Sequence, residues 1–283
     1  GLRGTPWEAI DPDGRLFKAL TPAFVTTFER TSWLVHRHDG SKIEIALDIG
    51  QIVAGERSAP ICELEIELMA GQPAALFELA QQIAKTIPVI PFNTSKAERG
   101  YALVLNCQDT PLYATPPKLT SDLSMPAAAA SVLREMYCQF TTNLNSLRTS
   151  DDPELVHQAR VGWRRFRSGL HLFKPAFPVD VIPSWHALKQ LLKSLGKLRD
   201  LDVALLDTLP PLAEAFTEKD AQRTVTWQAM TQALHQSAEL QRKSVREALN
   251  DPALGATLLE ITQRLEDLSD LKLLGDARIE ING

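Results

Sequence analysis

The chain has 283 residues, of which 44% are hydrophobic and 23% are charged, and this composition excludes a disordered or fibrous main state. Its length predicts two domains of about 100–200 residues each. The formal net charge of −5 argues against a general nucleic-acid coat, and no stretch approaches the roughly 18 uncharged apolar residues that span a bilayer. Three widely spaced cysteines without a CxxC pair fit a reducing compartment, so we expect a cytoplasmic protein.

The first hundred residues predict an antiparallel sheet. Residues 24–38 are rich in Val, Thr, Phe and Trp, residues 42–48 alternate after an Asp-Gly-Ser turn, and residues 61–69 alternate again. The run Asp48-Ile49-Gly50 is interpreted as the end of the second strand. A helix that begins at Pro73 is expected to lie across this sheet, and residues 95–105 are predicted to form another short extended segment.

Beyond residue 110 the hydrophobic period changes from two to 3.6. The predicted helices cover residues 126–147, 153–173, 185–209, 213–249 (with a possible break) and 254–271. Their lengths and short proline-marked connections favour an antiparallel helical bundle. The fold class is therefore predicted to be α+β. A β-rich domain covers residues 1–110, a proline-containing linker covers 111–124, and an all-α domain covers 125–283.

Charged side chains alternate along the second and third predicted strands. They comprise Lys42, Glu44 and Asp48 on one face of the second strand and Glu63, Glu65 and Glu67 on one face of the third. One interpretation is a sheet with a solvated face. The other is a closed barrel with these faces turned inward, because like charges about 6–7 Å apart are costly unless cations lie opposite. Such oxygen-only ligands suit Mg²⁺ or Mn²⁺, and Arg30 on the first strand could contact phosphate oxygens.

Several segments of this region match one family in order. They are FERTSW (28–33), KIEIALDIG (42–50), ELEIEL (63–68), LFELA (76–80) and SKAERGY (95–101). Together they closely resemble the CYTH family, the triphosphate tunnel metalloenzymes, whose fold is a β-barrel tunnel. The family's Glu-x-Glu-x-Lys motif on its first strand has no counterpart before Phe24. The resemblance therefore implies a partial antiparallel β-barrel, with the chain starting part-way through the domain.

The resemblance also implies roles for individual residues. The phosphate-binding and tunnel-lining groups of the catalytic site would be Arg30, Lys42, Glu44 and Lys96. The ligands of a divalent metal, Mg²⁺ or Mn²⁺, would be Asp48, Glu63 and Glu65. The implied activity is hydrolysis of inorganic triphosphate.

A basic island lies in the second and third predicted helices. Residues 157–200 hold nine Lys and Arg residues against Asp180 and Asp200, a local charge of +7. The basic side chains recur at helical spacing and form a row on each helix, His157, Arg160, Arg164, Arg167 and His171 on one and Lys189, Lys193 and Lys197 on the other. These rows are either a solvated charged surface or a site for a polyanion. The polyanion site is favoured because like charges at i, i+4 destabilise a helix unless a polyanion neutralises them.

The segments HQARVGWRRFR (157–167) and LKQLLKSLGKLRDLDV (188–203) resemble the CHAD domain, an all-helical module often attached to CYTH domains. The resemblance spans about residues 125–270. The family is associated with inorganic polyphosphate, which implies an anion surface made of His157, Arg160, Arg164, Arg165, Lys189, Lys193, Lys197 and Arg199. Asp200 and Asp202 are interpreted as partners that order basic side chains. The family's second basic repeat has no counterpart before Gly283, so we expect the N-terminal portion of the domain.

Three functions follow, in order of preference. The first is metal-dependent hydrolysis of inorganic triphosphate, with an attached helical domain that binds polyphosphate. The second is a non-catalytic module that binds or scaffolds polyphosphate. The third is an adenylate cyclase, for which the sequence supplies no evident adenine pocket. Nucleic-acid binding is disfavoured because exposed aromatic residues are not interleaved with the basic ones.

Overall fold

The computed structural model describes residues 4–176 and 186–270. Its elements in chain order are α1 (Arg15–Ala19), β1 (Val25–His36), β2 (Lys42–Ala54), β3 (Arg57–Ala70), α2 (Pro73–Ala84), α3 (Lys96–Leu105), α4 (Met125–Ser146), α5 (Pro153–Phe173), α6 (His186–Val203), α7 (Ala213–Thr217), α8 (Ala221–Leu249) and α9 (Pro252–Asp270). The α+β fold class is confirmed, since an antiparallel three-stranded sheet precedes a helical region. Among the described helices, none is both long and apolar enough to cross a membrane.

The chain divides into two compact units that interleave along the sequence. The first unit comprises the residues up to His38, then Lys42–Met69 and Asn93–Gln108. The second comprises Asp39–Ser41, Ala70–Phe92 and the residues from Asp109 onward. The first unit therefore holds the sheet and α3, whereas α2 belongs to the helical unit.

The sheet has the strand order β1-β2-β3, and β1 pairs antiparallel with β2 along its whole length. The predicted end of the second strand at Gly50 is wrong, because β2 continues to Ala54. Gly50 lies opposite Phe28 in the register, where a Cβ would come within 2.6 Å of the Phe28 Cβ and 2.1 Å of the Thr27 carbonyl oxygen. This glycine therefore permits a close approach inside the sheet and does not mark a turn.

The prediction of an extended segment over residues 95–105 is also wrong, because α3 is a helix. Ser95 caps it: the Ser95 Oγ accepts from the Glu98 amide, and the Glu98 carboxylate accepts from the Ser95 amide at 2.7 Å. This reciprocal capping box satisfies two backbone donors at the start of the helix. Leu103 of α3 then packs with Ile52 and Ile61 of the sheet in one buried cluster.

The helix expected to lie across the sheet is therefore α3 and not α2. The buried face of α2 includes Leu79 and Ala80, and its Gln81 amide donates to the Gln263 side chain of α9 at 2.9 Å. The helical periodicity of residues 73–84 was interpreted correctly, but periodicity alone does not say which surface a helix covers.

The helical unit follows the predicted order closely. The predicted helix over residues 153–173 is confirmed as α5, and the possible break within residues 213–249 lies between α7 and α8. The helix predicted over 185–209 becomes α6 followed by a π-helical turn at Ala204–Thr208 and a 3₁₀ turn at Pro210–Leu212. Trp185 and Leu271, which were predicted as helix ends, lie outside the described residues.

The positions of α4 and α5 are fixed by a close backbone contact and an aromatic core. A Cβ on Gly162 of α5 would lie 2.8 Å from the backbone nitrogen of Phe140 on α4, so only glycine allows this spacing. Beside it, the Phe140 and Trp163 rings pack with centroids 5.0 Å apart. The helical core also takes in Leu188 of α6 and Leu258 of α9, both fully buried.

Candidate functional site

The candidate site of the first unit is built on a cross-strand pair. The register of β1 and β2 places Arg30 directly opposite Asp48. The guanidinium donates through Nε to Asp48 Oδ1 at 2.7 Å and through Nη2 to Oδ2 at 2.6 Å, a two-pronged geometry that fixes both groups. Its Nη2 also donates to Glu65 Oε2 on β3 at 2.5 Å. One arginine therefore links all three strands around a fully buried aspartate.

Lys96, the first residue of α3, adds a cation to the same carboxylates. Its Nζ lies 2.7 Å from Asp48 Oδ2 and 2.7 Å from Glu65 Oε1, and it also forms an ion pair with Glu63. The Phe28 ring lies beside this ammonium, with its centroid 5.1 Å away. Because the capping box fixes the start of α3, the backbone of Lys96 is held in place while its ammonium group contacts three carboxylates.

Arg99 is a member of this cluster that the sequence reasoning missed as a site residue. It lies three positions after Lys96 on α3, donates through Nη1 to Glu63 Oε2 at 2.8 Å, and donates through Nη2 to the Pro60 carbonyl. The i, i+3 spacing of Lys96 and Arg99 was the available signal, since it puts both cations on one helix face. It was lost because the segment was predicted to be extended.

The donor set of the cluster fits a divalent cation. Asp48, Glu63 and Glu65 each offer a carboxylate oxygen, and these atoms all lie within 4.8 Å of one another. Oxygen donors are the ligands that hard divalent cations prefer. The Lys96 ammonium already contacts all three groups, which demonstrates that the cluster accepts a positive charge at its centre. These three residues could therefore hold a metal ion.

The charges of the cluster shift the pKa values of its members. Hydrogen bonds from Arg30, and then from Lys96, lower the pKa of Asp48 to about 2 although burial opposes the shift. The pKa of Glu65 is lowered mainly by the hydrogen bond from Lys96. Burial alone would lower the pKa of Lys96, but its hydrogen bonds to the three carboxylates raise it. The cluster therefore keeps Asp48 and Glu65 ionised and Lys96 charged at neutral pH.

Two predicted residues of this site lie elsewhere on β2. Lys42 pairs in register with His36, and Glu44 pairs with Leu34. They precede Asp48 by six and four residues, which places them about 20 Å and about 13 Å along the strand. In residues 4–176 and 186–270, neither forms an ion pair with the cluster. The structure thus brings together Arg30, Asp48, Glu63, Glu65 and Lys96, but not Lys42 or Glu44.

Replacing Asp48 with Asn is expected to lower the free energy of unfolding by about 2 kcal/mol at neutral pH, since the Asp48 pKa falls from 3.8 to about 2 on folding. A carboxyl whose pKa is lower in the folded chain stabilises above the unfolded pKa, and the contribution disappears as pH falls through the folded pKa. The difference between the wild type and Asp48→Asn should therefore shrink as pH falls from 3.8 to about 2.

Urea unfolding followed by tryptophan fluorescence across this pH range checks the expectation. Glu67→Gln is the matched control, because Glu67 is an exposed carboxylate on β3 with no ion pair in the described chain. If the difference in unfolding free energy between the wild type and Asp48→Asn stayed constant down to about pH 2, the lowered pKa of Asp48 would not be its cause.

The predicted anion surface of the helical unit has two rows that meet at one point. Arg160 of α5 lies against α6 at Gly196, since a Cβ on that glycine would come within 3.0 Å of Arg160 Nη1. Gly196 adjoins Lys197 and follows Lys193 by three residues, so the guanidinium lies beside the lysine row. The glycine leaves room for the arginine between the helices.

Most side chains of this surface form no ion pair with a residue that the structure describes. Arg164, Lys189, Lys193 and Lys197 are exposed, whereas His157, Arg160 and Arg199 are half-buried. Within the ranges that the structure describes, none of these seven forms an ion pair with a carboxylate. Asp180, which was counted against the island, lies outside those ranges.

Arg165 lies apart from the two rows. Its Nη1 donates to the Gln139 amide oxygen at 2.5 Å, and its Nη2 donates to Glu135 at 3.3 Å, both on α4. The structure therefore uses this arginine to join α5 to α4.

Arg242 and Arg246 are two arginines of α8 that form ion pairs with carboxylates of the helical unit. Arg242 donates to the buried Asp202 at 3.1 Å, and Arg246 donates to Asp151 at 2.8 Å. Burial raises the pKa of Asp202 even though Arg242 opposes the shift. Both arginines thus form ion pairs within the helical unit, and the basic side chain that Asp202 contacts is Arg242 on α8.

Comparison with known proteins gives two domain matches and a similarity to a curated protein. The family model of the CYTH domain matches residues 6–101, and that of the CHAD domain matches residues 131–280, which is slightly more than half of the chain. The chain is also similar to an inorganic triphosphatase of Haemophilus influenzae, with 44% identity over 103 residues. The aligned region covers 36% of this chain and 28% of the length of that relative.

Proposed function

We propose that this chain, which belongs to the CHAD domain family and carries a CYTH domain, takes part in metal-dependent hydrolysis of inorganic triphosphate and binds polyphosphate through its helical unit. The single observation that carries the proposal is the cluster of three carboxylates and three cations where β1, β2, β3 and α3 meet. Its members match the chemistry that a phosphoanhydride and a divalent cation require together.

The residues of the cluster divide by charge. Arg30 and Lys96 would donate hydrogen bonds to phosphate oxygens and neutralise negative charge that accumulates there during phosphoryl transfer. Arg99 would hold Glu63 in position, because it donates both to Glu63 and to the Pro60 backbone carbonyl. Asp48 would orient Arg30, since it accepts both prongs of the guanidinium.

Asp48, Glu63 and Glu65 would hold the metal ion, for which we propose Mg²⁺ or Mn²⁺ because every donor is a carboxylate oxygen. When bound, such an ion supplies charge neutralisation at phosphoryl oxygens and lowers the pKa of a coordinated water. The similarity to a named inorganic triphosphatase over the CYTH region supports triphosphate as the substrate class.

The helical unit is proposed to bind inorganic polyphosphate on the surface formed by α5 and α6. Its support is the pair of rows that converge where Arg160 meets Gly196, with no acidic partner for either row in the described ranges. We place His157, Arg160, Arg164, Lys189, Lys193, Lys197 and Arg199 on this surface. No disulfide joins Cys62, Cys107 or Cys138 within the described residues, which supports a reducing, cytoplasmic location.

A non-catalytic polyphosphate-binding module is the second candidate, and the unpaired basic rows are the observation that favours it. The two candidates differ in their response to conditions. Hydrolysis requires a divalent cation, whereas binding to the basic rows requires none and weakens as salt concentration rises.

Phosphate release from tripolyphosphate by the 283-residue chain, with and without Mg²⁺, tests the first candidate. Glu65→Gln is expected to lower the rate at least about 100-fold, because it removes a carboxylate that contacts both Arg30 and Lys96. Glu67→Gln, on the same strand face but outside the cluster, should retain the rate. Turnover without any divalent cation, or equal loss in both variants, would overturn the proposal. Absent turnover with intact polyphosphate binding would favour the second candidate.

A further inference from the structure

We propose that the Lys96 ammonium and a divalent cation compete for the same three carboxylates, so that Lys96 is a built-in competitor that sets the metal affinity of the site. Once displaced, the same ammonium is released toward substrate phosphate. The inference rests on the proposed function, because it concerns regulation of the same cluster.

The first support is geometric. An ammonium has three N–H donors, and Lys96 directs them at three different carboxylates, Asp48, Glu63 and Glu65. These are the same three groups whose oxygens lie within 4.8 Å of one another and could hold a metal ion. A metal ion that contacts all three oxygens must enter the space that Nζ fills, so the two cations exclude each other.

The second support is the charge of the cluster. Three carboxylates face three cations, Arg30, Lys96 and Arg99, so the described groups balance. A divalent ion that entered without displacing a cation would leave two excess positive charges beside a fully buried aspartate. Displacement of one cation relieves this repulsion, which makes exchange the favourable route.

The third support is that Lys96 is the cation best able to leave. Arg30 is held by two parallel hydrogen bonds to Asp48 and a third to Glu65, and Arg99 is also held by the Pro60 carbonyl. Lys96 is a point charge on a flexible four-carbon stem, and its backbone is anchored at the first position of α3. The ammonium can therefore swing out while the helix stays in place.

Exchange at one centre links metal binding to phosphate binding. While Lys96 is bound to the carboxylates, its donors are used and the metal affinity is reduced. When a metal ion takes its place, the three donors become free for phosphate oxygens. By reciprocity, a bound phosphate that holds Lys96 away raises the affinity for the metal.

Titration of the full chain with Mn²⁺ alone, followed by the electron paramagnetic resonance of free Mn²⁺, tests the inference. Lys96→Met keeps the length of the stem and removes the charge. It is expected to tighten Mn²⁺ binding about tenfold or more, because the competitor is gone. Lys85→Met is the matched control, since Lys85 is an exposed lysine after α2, and it should bind as the wild type does.

A second measurement uses the wild type and so does not depend on how a variant folds. The protein is acetylated briefly with and without Mg²⁺, and the modified lysines are mapped by mass spectrometry. Lys96 should be protected from acetylation without Mg²⁺ and should react when Mg²⁺ is present, while Lys85 should react equally under both conditions. Unchanged Lys96 reactivity, or equal Mn²⁺ affinity in Lys96→Met and wild type, overturns the competition. If Mn²⁺ binding persists in that case and is lost in Glu65→Gln, the metal site stands. If neither the wild type nor any of these variants binds Mn²⁺, the proposed function fails as well.

Discussion

Alanine at both Arg164 and Lys193 is expected to weaken binding of long-chain polyphosphate about 100-fold, since each charged contact is worth about tenfold. The pair takes one exposed cation from α5 and one from α6, so it thins both rows of the proposed surface. Neither side chain has a carboxylate partner in the described ranges, so the fold of the unit should be unaffected. Fluorescence anisotropy with labelled polyphosphate, at low and at physiological ionic strength, measures the loss.

The matched control is Lys243→Ala combined with Arg264→Ala. Both residues are exposed, one on α8 and the other on α9. Their replacement removes the same net charge from the helical unit as the replacement of Arg164 and Lys193 does. The control should bind polyphosphate nearly as well as the wild type, and a chelator should change neither result. If the control lost as much affinity as the test pair, binding would follow net charge, and the α5–α6 surface would not be the site.

Phe140→Ala is expected to lower the free energy of unfolding of the helical unit by about 4 kcal/mol. Phe140 is fully buried on α4, and its ring packs against Trp163 with centroids 5.0 Å apart and against Tyr137 at 6.4 Å. Its truncation leaves a cavity beside the close contact with Gly162, where the helix backbones have little freedom to collapse. Urea unfolding followed by circular dichroism at the helix band gives the change.

Phe216→Ala serves as the control for this truncation. Phe216 is 43% exposed on α7 and packs against Trp227 alone among the described aromatic rings, so its removal should cost about 1 kcal/mol or less. Equal losses in the two variants would mean that the α4–α5 aromatic cluster is not the centre of the core.

The strands and most helices could be predicted because their signals are local. Strict alternation over residues 61–69 and a 3.6-residue period over residues 153–173 each report one buried face, and both family resemblances are confirmed by the domain matches. The capping signal Ser95-Lys96-Ala97-Glu98 was equally local, yet the segment was predicted to be extended. That one error also concealed Arg99, because its place beside Lys96 exists only on a helix.

Other features depend on contacts that no local pattern reports. In the sequence Gly50 resembles a strand end, but the reason for a glycine here is the close approach of Phe28, which lies opposite it across the sheet. Arg165 belongs to the same basic motif as Arg164, but its partners are on α4, far away in sequence. The structure brings Arg30 and Lys96 together with the three carboxylates that the sequence singled out. Lys42 and Glu44 share a strand face with Asp48 but lie at other positions along the strand.

Two contacts of α5 together determine where its basic row points. Consecutive residues of a helix differ by about 100° around its axis, so Arg164 and Arg165 project in different directions. The hydrogen bond from Arg165 to Gln139 fixes the rotational phase of α5, and Gly162 against Phe140 fixes its distance from α4. The direction of Arg164 therefore depends on an anchor, Arg165, whose hydrogen-bond partners lie on α4. Inserting one residue between Gly162 and Arg164 would rotate Arg164 by about 100° relative to Gly162 and Arg160, so the two arginines would no longer share one face of α5.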